Sequence, residues 1–248
     1  IQVEESVNFP EKYFNNNTEN SKKFFDVCIH NGLSNIIFSS TAAVYGNAKQ
    51  SNTISETDEI KPVNPYGESK VRGEQYLLNQ NPKNINYTIL RYFNVAGADP
   101  QMRSGMISKN ATHLIKIASE AAIGKREDVT IFGNDYNTPD GTAIRDYIHV
   151  SDLADIHVKA LELMNKRKKS EILNCGYGKG YSVKEVLNKT NEIYKIKTKV
   201  GPKRAGDSEM LVSNINKLKQ MIDWKPKYNK LDLIIRSSID WELKLQNE

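Results

Sequence analysis

The chain has 248 residues, 38% of them hydrophobic and 26% charged, enough apolar material for one large α/β domain or two small ones. The net charge of +5 is scattered, and its one tight run, Lys166-Arg167-Lys168-Lys169, has no interleaved aromatic residues, so it reads as a solvated loop after a helix rather than a nucleic-acid surface. No apolar run is long enough to span a bilayer and no signal-peptide pattern is present; Cys28 and Cys175 stand far apart in apolar contexts and read as buried thiols of a reducing, cytoplasmic protein.

Along the chain, Phe24, Phe25, Cys28 and Ile29 fall at helical spacing between Asn20 and Asn31, with Gly32 placed as a C-terminal cap. Asn35 to Phe38 reads as a short buried strand ending in Ser39-Ser40-Thr41. Small hydroxyls at the carboxyl end of a parallel strand point into the usual ligand crevice. A polar loop runs to Pro65, a helix spans Tyr66 to Leu78, and Tyr87 to Phe93 is a second strand. This strand–helix–strand rhythm predicts a parallel, doubly wound sheet. After Gly97 the expected elements are a helix from His113 to Ile123, a short strand at Val129–Gly133, a polar loop from Asn134 to Gly141 and a helix from Ser151 to Met164. They continue with a strand at Ile172–Gly176, a capping box at Ser182–Glu185 opening a helix, and a strand at Thr198–Val200. Asn214 is expected to cap a helix reaching Ile222, and the last helix runs from Leu231 to Leu245.

The chemistry centres on Tyr66 and Lys70. On a helix, residues four apart share a face. A nearby ammonium favours the phenolate and lowers a tyrosine pKa from its usual value near 10. A phenolate poised this way takes a proton from an alcohol while the carbon gives up hydride. Alone the pattern is weak, since most such pairs are surface neighbours, but here it follows the hydroxyl cluster that ends a strand. Arg145 beside Asp146 would by itself read as a local salt bridge, Phe132 as a core aromatic, and His113 and His149 as satisfied polar residues. Tyr45 and Tyr92 read as packing or supporting residues. The four histidines show no metal-ligand spacing, so no metal is expected.

The segments Ser39-Ser40-Thr41-Ala42-Ala43-Val44-Tyr45-Gly46, Pro65-Tyr66-Gly67-Glu68-Ser69-Lys70 and Leu90-Arg91-Tyr92-Phe93-Asn94-Val95-Ala96-Gly97 resemble the extended short-chain dehydrogenase superfamily. Ile131-Phe132-Gly133-Asn134-Asp135-Tyr136 and the run from Asp140 to Val150 narrow the resemblance to the UDP-glucose 4-epimerases, and the likeness covers essentially the whole chain in order. It implies NAD as cofactor and a UDP-sugar as substrate, with Tyr66 as general base, Lys70 tuning it and binding the nicotinamide ribose, and Thr41 relaying the proton of the sugar 4-hydroxyl. It further implies cofactor contacts from Asn16, Ser39 and Phe93. The nucleotide-sugar contacts it implies are Asn94, His113, Leu114, Thr130, Ile131, Phe132, Arg145, Arg204 and Asp207, the arginines gripping the pyrophosphate with guanidinium forks. Leu211 matches a position where a larger tyrosine narrows the sugar pocket, so an N-acetylated UDP-hexose is an alternative substrate. A 4,6-dehydratase would need an acidic residue where Ala42 and Ala43 stand. Family members are commonly homodimers, and the helices near Asn20–Asn31 and Tyr66–Leu78 are the candidate contact surfaces.

Members of this family begin with a strand, a Gly-rich turn and a helix that bind the cofactor pyrophosphate. No such turn occurs here, and only Gly32 precedes Gly46. The expected fold is therefore a Rossmann-type parallel sheet missing its first strands, with an open edge, plus a smaller mixed α/β substrate-binding domain. Residues 1–97 are expected to form the cofactor side and 98–248 mainly the UDP-sugar side, with about 143–176 returning to the first. The 248 residues alone are expected to be inactive, and a non-catalytic UDP-sugar-binding remnant is the alternative from a different class.

Overall fold

The computed structural model describes residues 3–46, 53–80, 85–108 and 110–247; residues 47–52 of the expected polar loop lie outside them. The first segment is helical: α1 (Val3–Asn8) and α2 (Pro10–Phe14) lead through a single π-helical turn at Asn15–Glu19 into α3 (Asn20–His30). Only α3 is foreseen by periodicity. Gly32 closes it at φ 76°, donating to Ile29 O at 3.0 Å, the conformation a side chain would resist. The strand β1 (Asn35–Thr41) carries on through the hydroxyl cluster to a 3₁₀ turn at Ala42–Val44.

Helix α4 (Pro65–Leu78) starts where the sequence dictates. Asn64 caps it, its Oδ1 accepting from Gly67 N at 2.8 Å, and Pro65 occupies a first-turn position where a missing N–H costs nothing. Then come β2 (Asn86–Tyr92), β3 (Asn94–Ala96), α5 (Leu114–Ala122), β4 (Val129–Phe132), β5 (Ile144–His149) and α6 (Val150–Arg167). The remainder is β6 (Glu171–Cys175), β7 (Gly180–Ser182), α7 (Val183–Ile193), β8 (Thr198–Gly201), β9 (Met210–Leu211), α8 (Asn216–Met221) and α9 (Leu231–Asn247). The capping box at Ser182 and Glu185 is formed in both directions.

Two local expectations need correction. Lys166 and Arg167 are the last turn of α6 rather than a loop, where cations suit the helix dipole, and Lys168 ends the helix at φ 52°. Asn214 does not cap α8 in the usual way: the helix begins at Asn216, whose N–H donates to Asn214 Oδ1 at 3.0 Å, an Asx turn that precedes the helix.

The main sheet runs β1–β2–β6, all parallel, with Thr41 opposite Tyr92 and Tyr92 opposite Cys175. Among the described residues β1 pairs on one side only, so the sheet edge beyond it is open. Helix α6 packs on one face, in a core with Leu90, Leu173, Cys175 and Ile156. On the other face α3 and α4 enclose Phe25, Cys28, Phe38, Leu77 and Ile89. Both cysteines are buried and free. A second sheet joins β3, β5, β7 and β9, and β4 pairs with β8 in a small third one; α5, α7 and α9 cover them.

One carboxylate ties this second region together. Asp146 on β5 is fully buried and accepts from the backbone N–H groups of Tyr177, Gly178 and Ser213 and from the Ser213 hydroxyl. It takes no part in a salt bridge with Arg145, so that expectation is set aside: the guanidinium donates instead to the carbonyls of Ile144 at 2.9 Å and Ser208 at 2.7 Å.

Candidate active site

The centre of the site forms at the carboxyl end of β1. Alternation along the strand puts Ser39 and Thr41 on one face and Ser40 on the other. Helix α4 reaches this point because residue 67 is glycine: a Cβ there would lie 2.5 Å from Ala43 O. That close approach brings Tyr66 beside Thr41, whose hydroxyl acts to lower the phenol pKa against the effect of burial. Tyr66 is further held by Ser6 Oγ, which accepts from its backbone N–H at 3.2 Å, and by an edge-on contact with Tyr13 at 6.2 Å.

Lys70 follows one turn later, as the spacing requires. Its Nζ donates to Ser39 O at 3.0 Å and lies 5.0 Å from the centre of the Phe38 ring. Burial pushes the Lys70 pKa down, and the Glu74 carboxylate opposes that shift. The expected depression of the Tyr66 pKa by Lys70 is not found. Burial of the phenol raises it, the Thr41 hydroxyl acts the other way, and the ammonium is turned to the Ser39 carbonyl.

Beneath the crevice lies a polar network that the motifs do not announce. Glu74 is buried on α4 and takes two hydrogen bonds from Arg91 of β2, at 2.6 and 3.1 Å, and one from Ser40. Arg91 also donates to Tyr45 Oη at 2.7 Å, and Tyr45 donates to Asn174 Oδ1 at 2.7 Å. The backbone N–H of Asn174 in turn donates to Glu56 Oε1 at 2.7 Å. Every charged group here has a partner, as burial demands. The network pins α4 to all three strands of the main sheet. Tyr45 is therefore a supporting residue, as expected.

The remaining candidates fall into groups. Phe93 is buried with Val44, Tyr45 and Val71, and Leu211 packs against this cluster. Asn94, His113 and Leu114 line a cleft of about 1070 Å³ together with Tyr147 and the loop from Gly97 to Met106. The Nδ1 of His113 is buried there without a hydrogen-bond partner, and burial lowers its pKa. It is thus unlike His149, whose ring is satisfied by Ser151 N and Ser237 Oγ, each at 3.1 Å.

Phe132 and Arg204 line a separate concavity of about 300 Å³, with the guanidinium 4.6 Å from the ring centre. Arg204 is paired with Asp207, at 2.9 Å from both Nε and Nη2. Arg145 stands near this pair and feels its charges, but it lines neither cavity. On β4 the strand alternation sends Ile131 into the core while Thr130 and Phe132 face outward, so only the latter two present side chains. Asn16 sits exposed in the π-helical turn and donates to Asn17 at 3.1 Å. The neighbour that reaches α4 is Asn17, whose Nδ2 donates to Ser69 Oγ at 3.0 Å.

The residues of the nicotinamide side fit the cofactor the sequence implies. The Lys70 ammonium carries three donors and spends one on Ser39 O, leaving it able to meet ribose hydroxyls.

A base on a helix facing a hydroxyl at a parallel strand end is an arrangement shared by many oxidoreductases and epimerases, and comparison with known proteins narrows it. Residues 1–176 match the profile of the NAD dependent epimerase/dehydratase family. The chain is 46% identical over 249 residues to a UDP-glucose 4-epimerase of Azospirillum brasilense, a match covering 99% of this chain and 71% of that protein. Among solved structures it resembles the UDP-Glc/GlcNAc 4-epimerase of Campylobacter jejuni, with 44% identity and TM-score 0.81, covering 98% of this chain and 75% of that one. It also resembles a UDP-glucose 4-epimerase from Stenotrophomonas maltophila crystallised with NAD and formylated UDP-arabinopyranose, with TM-score 0.94 and 30% identity over 100% of this chain and 74% of that one. The chain belongs to the NAD dependent epimerase/dehydratase family, and within it to the UDP-glucose 4-epimerases.

Proposed function

We propose that this chain carries the base and the nucleotide-sugar side of an enzyme that interconverts UDP-glucose and UDP-galactose. The observation that carries the reading is the close approach of α4 to the end of β1, which sets Tyr66 beside Thr41 and holds Lys70, one helical turn on, to the Ser39 carbonyl. NAD, when bound, supplies a reversible hydride acceptor for the sugar carbon. Tyr66 takes the proton of the 4-hydroxyl, and Thr41 orients that hydroxyl and stabilises the phenolate. Lys70 holds the ribose and adds positive charge beside the base. Arg204 fixes the diphosphate with Arg145 adding positive charge from behind it, Phe132 stacks against the base of the nucleotide, and Asn94 and His113 close on the sugar-phosphate from the other side. Anchoring by the diphosphate lets the oxidised sugar turn over between the two hydride transfers.

Two experiments separate the parts of this reading. Calorimetry with UDP on the 248-residue chain tests the nucleotide half: binding is expected, and Arg204→Ala should weaken it by roughly 10- to 100-fold, the worth of a charge-assisted hydrogen bond. No binding of UDP would sink this half. The sequence holds no Gly-rich turn for the cofactor pyrophosphate, so we expect no turnover from the chain alone. Turnover is expected once it is joined to the N-terminal quarter of the Azospirillum brasilense relative, with Tyr66→Phe reducing it by about 10²- to 10⁴-fold. Near-normal turnover of Tyr66→Phe would refute the assignment of the base.

A second substrate reading has its own observation. Leu211 packs against the Phe93 cluster and leaves more room than tyrosine, so UDP-N-acetylglucosamine is also expected to be accepted. Side-by-side assay of the two UDP-hexoses decides it. The exposed Phe24 and Val27 of α3 and Leu78 of α4 favour a homodimer through these helices, which sedimentation would detect.

A further inference from the structure

Opposite Thr41 on the sheet, Tyr92 points its phenol into the same crevice. Its hydroxyl donates to Ser39 Oγ at 2.6 Å and lies 2.5 Å from His157 Nε2 on α6. The His157 Nδ1 lies 2.8 Å from Leu153 O. A carbonyl only accepts, so Nδ1 carries a hydrogen in every state that keeps this contact. Burial pushes the Tyr92 pKa up to about 12, so the phenol keeps its single proton.

These facts fix the direction of the chain for each charge state of the imidazole. With both ring nitrogens protonated, Nε2 donates to Tyr92, Tyr92 donates to Ser39, and the Ser39 hydrogen is free to point into the crevice. With a neutral imidazole, Nε2 is an acceptor, the phenol turns to it, and Ser39 must give its hydrogen to Tyr92. Ser39 then offers the crevice only lone pairs. Ser39 is exposed there and its carbonyl is held by Lys70, so the change is felt beside the base without moving the strand.

We infer that Tyr92 and His157 are positioning residues that set whether Ser39 donates or accepts in the crevice, and so link a proton on α6 to the polar group that binds beside Ser39. The inference rests on the reading above, in which that group belongs to the nicotinamide half of the cofactor. The other titratable groups that face the chain are Lys70, on the Ser39 carbonyl, and Tyr66 and Cys175, which both act on the Tyr92 phenol. On α6 itself, Asp155 and Lys159 lie two residues to either side of His157.

The test is ¹⁵N NMR of His157 in the 248-residue chain across a pH series, with nicotinamide mononucleotide as the probe. In the free chain the neutral imidazole is expected to carry its hydrogen on Nδ1, and Tyr92→Phe should shift the Nε2 signal. Saturating nicotinamide mononucleotide should change the fraction of His157 that is protonated, and Tyr92→Phe, which keeps the ring but lacks the hydroxyl, should abolish that change. A neutral form protonated on Nε2 would overturn the inference. So would a bound probe that leaves His157 unchanged, or that changes it equally in Tyr92→Phe. Failure of the probe to bind at all would overturn the cofactor assignment as well, which separates the two readings. His157→Gln, which cannot titrate, provides the second variant: the pH dependence of probe affinity that it shares with Tyr92→Phe should be flat relative to wild type.

Discussion

Tyr66 shows how little of a catalytic group's state is written in its spacing. The helical interval to Lys70 was legible from the helix period, whereas the nearness of Thr41 was legible only through the family resemblance. The direction of the pKa shift was not legible, since it depends on how deeply packing buries the phenol. Burial raises the Tyr66 pKa and the Thr41 hydroxyl opposes it. Replacing Thr41 by valine removes the opposing force, so the phenol pKa should rise further. In the joined, cofactor-loaded enzyme, the limb of the pH–rate profile that reports the base should then move to higher pH, and turnover near neutrality should fall by about 10- to 100-fold. An unmoved limb would mean that Thr41 does not touch the phenolate. Arg91, Glu74, Asn174 and His157 escaped notice for a different reason. In the sequence they are charged or polar residues in ordinary contexts, and only the sheet brings them under the crevice.

At the scale of elements, the strands and helices with strong periodicity emerged where expected, among them α3, α4, α7 and α9. The segment Val3–Glu19 did not, because its helices are short and its apolar residues follow the packing against α4 more than any period. The start of α4 deserves a direct measurement, since it aims the base. Asn64→Ala removes the side chain that accepts from Gly67 N and should lower stability by about 1 kcal/mol, read as a shift in urea midpoint. Gly67→Ala should do more to function. Its Cβ would press on Ala43 O at 2.5 Å, forcing α4 away from the strand end, so the Tyr66–Thr41 contact should be lost and turnover with it while UDP binding persists. Loss of UDP affinity to the same degree would show that the two halves of the site are not independent.

For the whole molecule, His149 links stability to pH. It is buried at the junction of β5 and α6, its Nδ1 accepts from Ser151 N, and Tyr228 stacks on it at 4.6 Å. Burial lowers its pKa, with Asp152 and Asp99 opposing. A histidine whose folded pKa is depressed contributes stability above its unfolded value, near 6.5, and loses it as the pH falls toward the folded value. The melting temperature should therefore drop between about pH 7.5 and 5.5, and His149→Asn should flatten part of that drop. Equal slopes in the two proteins would remove His149 from the account.

The parallel pairing of β2 with β6 has a consequence for how the chain comes into being. Thr88 has no partner on that side until Glu171 exists, and everything between them, from β3 through α6, has to be made first. A ribosome releasing this chain residue by residue therefore leaves the β6-facing margin of β2 unpaired for the whole time it takes to build the sugar-binding elements. Synthesis rate and chaperone supply across that interval, more than the stability of the finished fold, should govern how much of the protein reaches its native state.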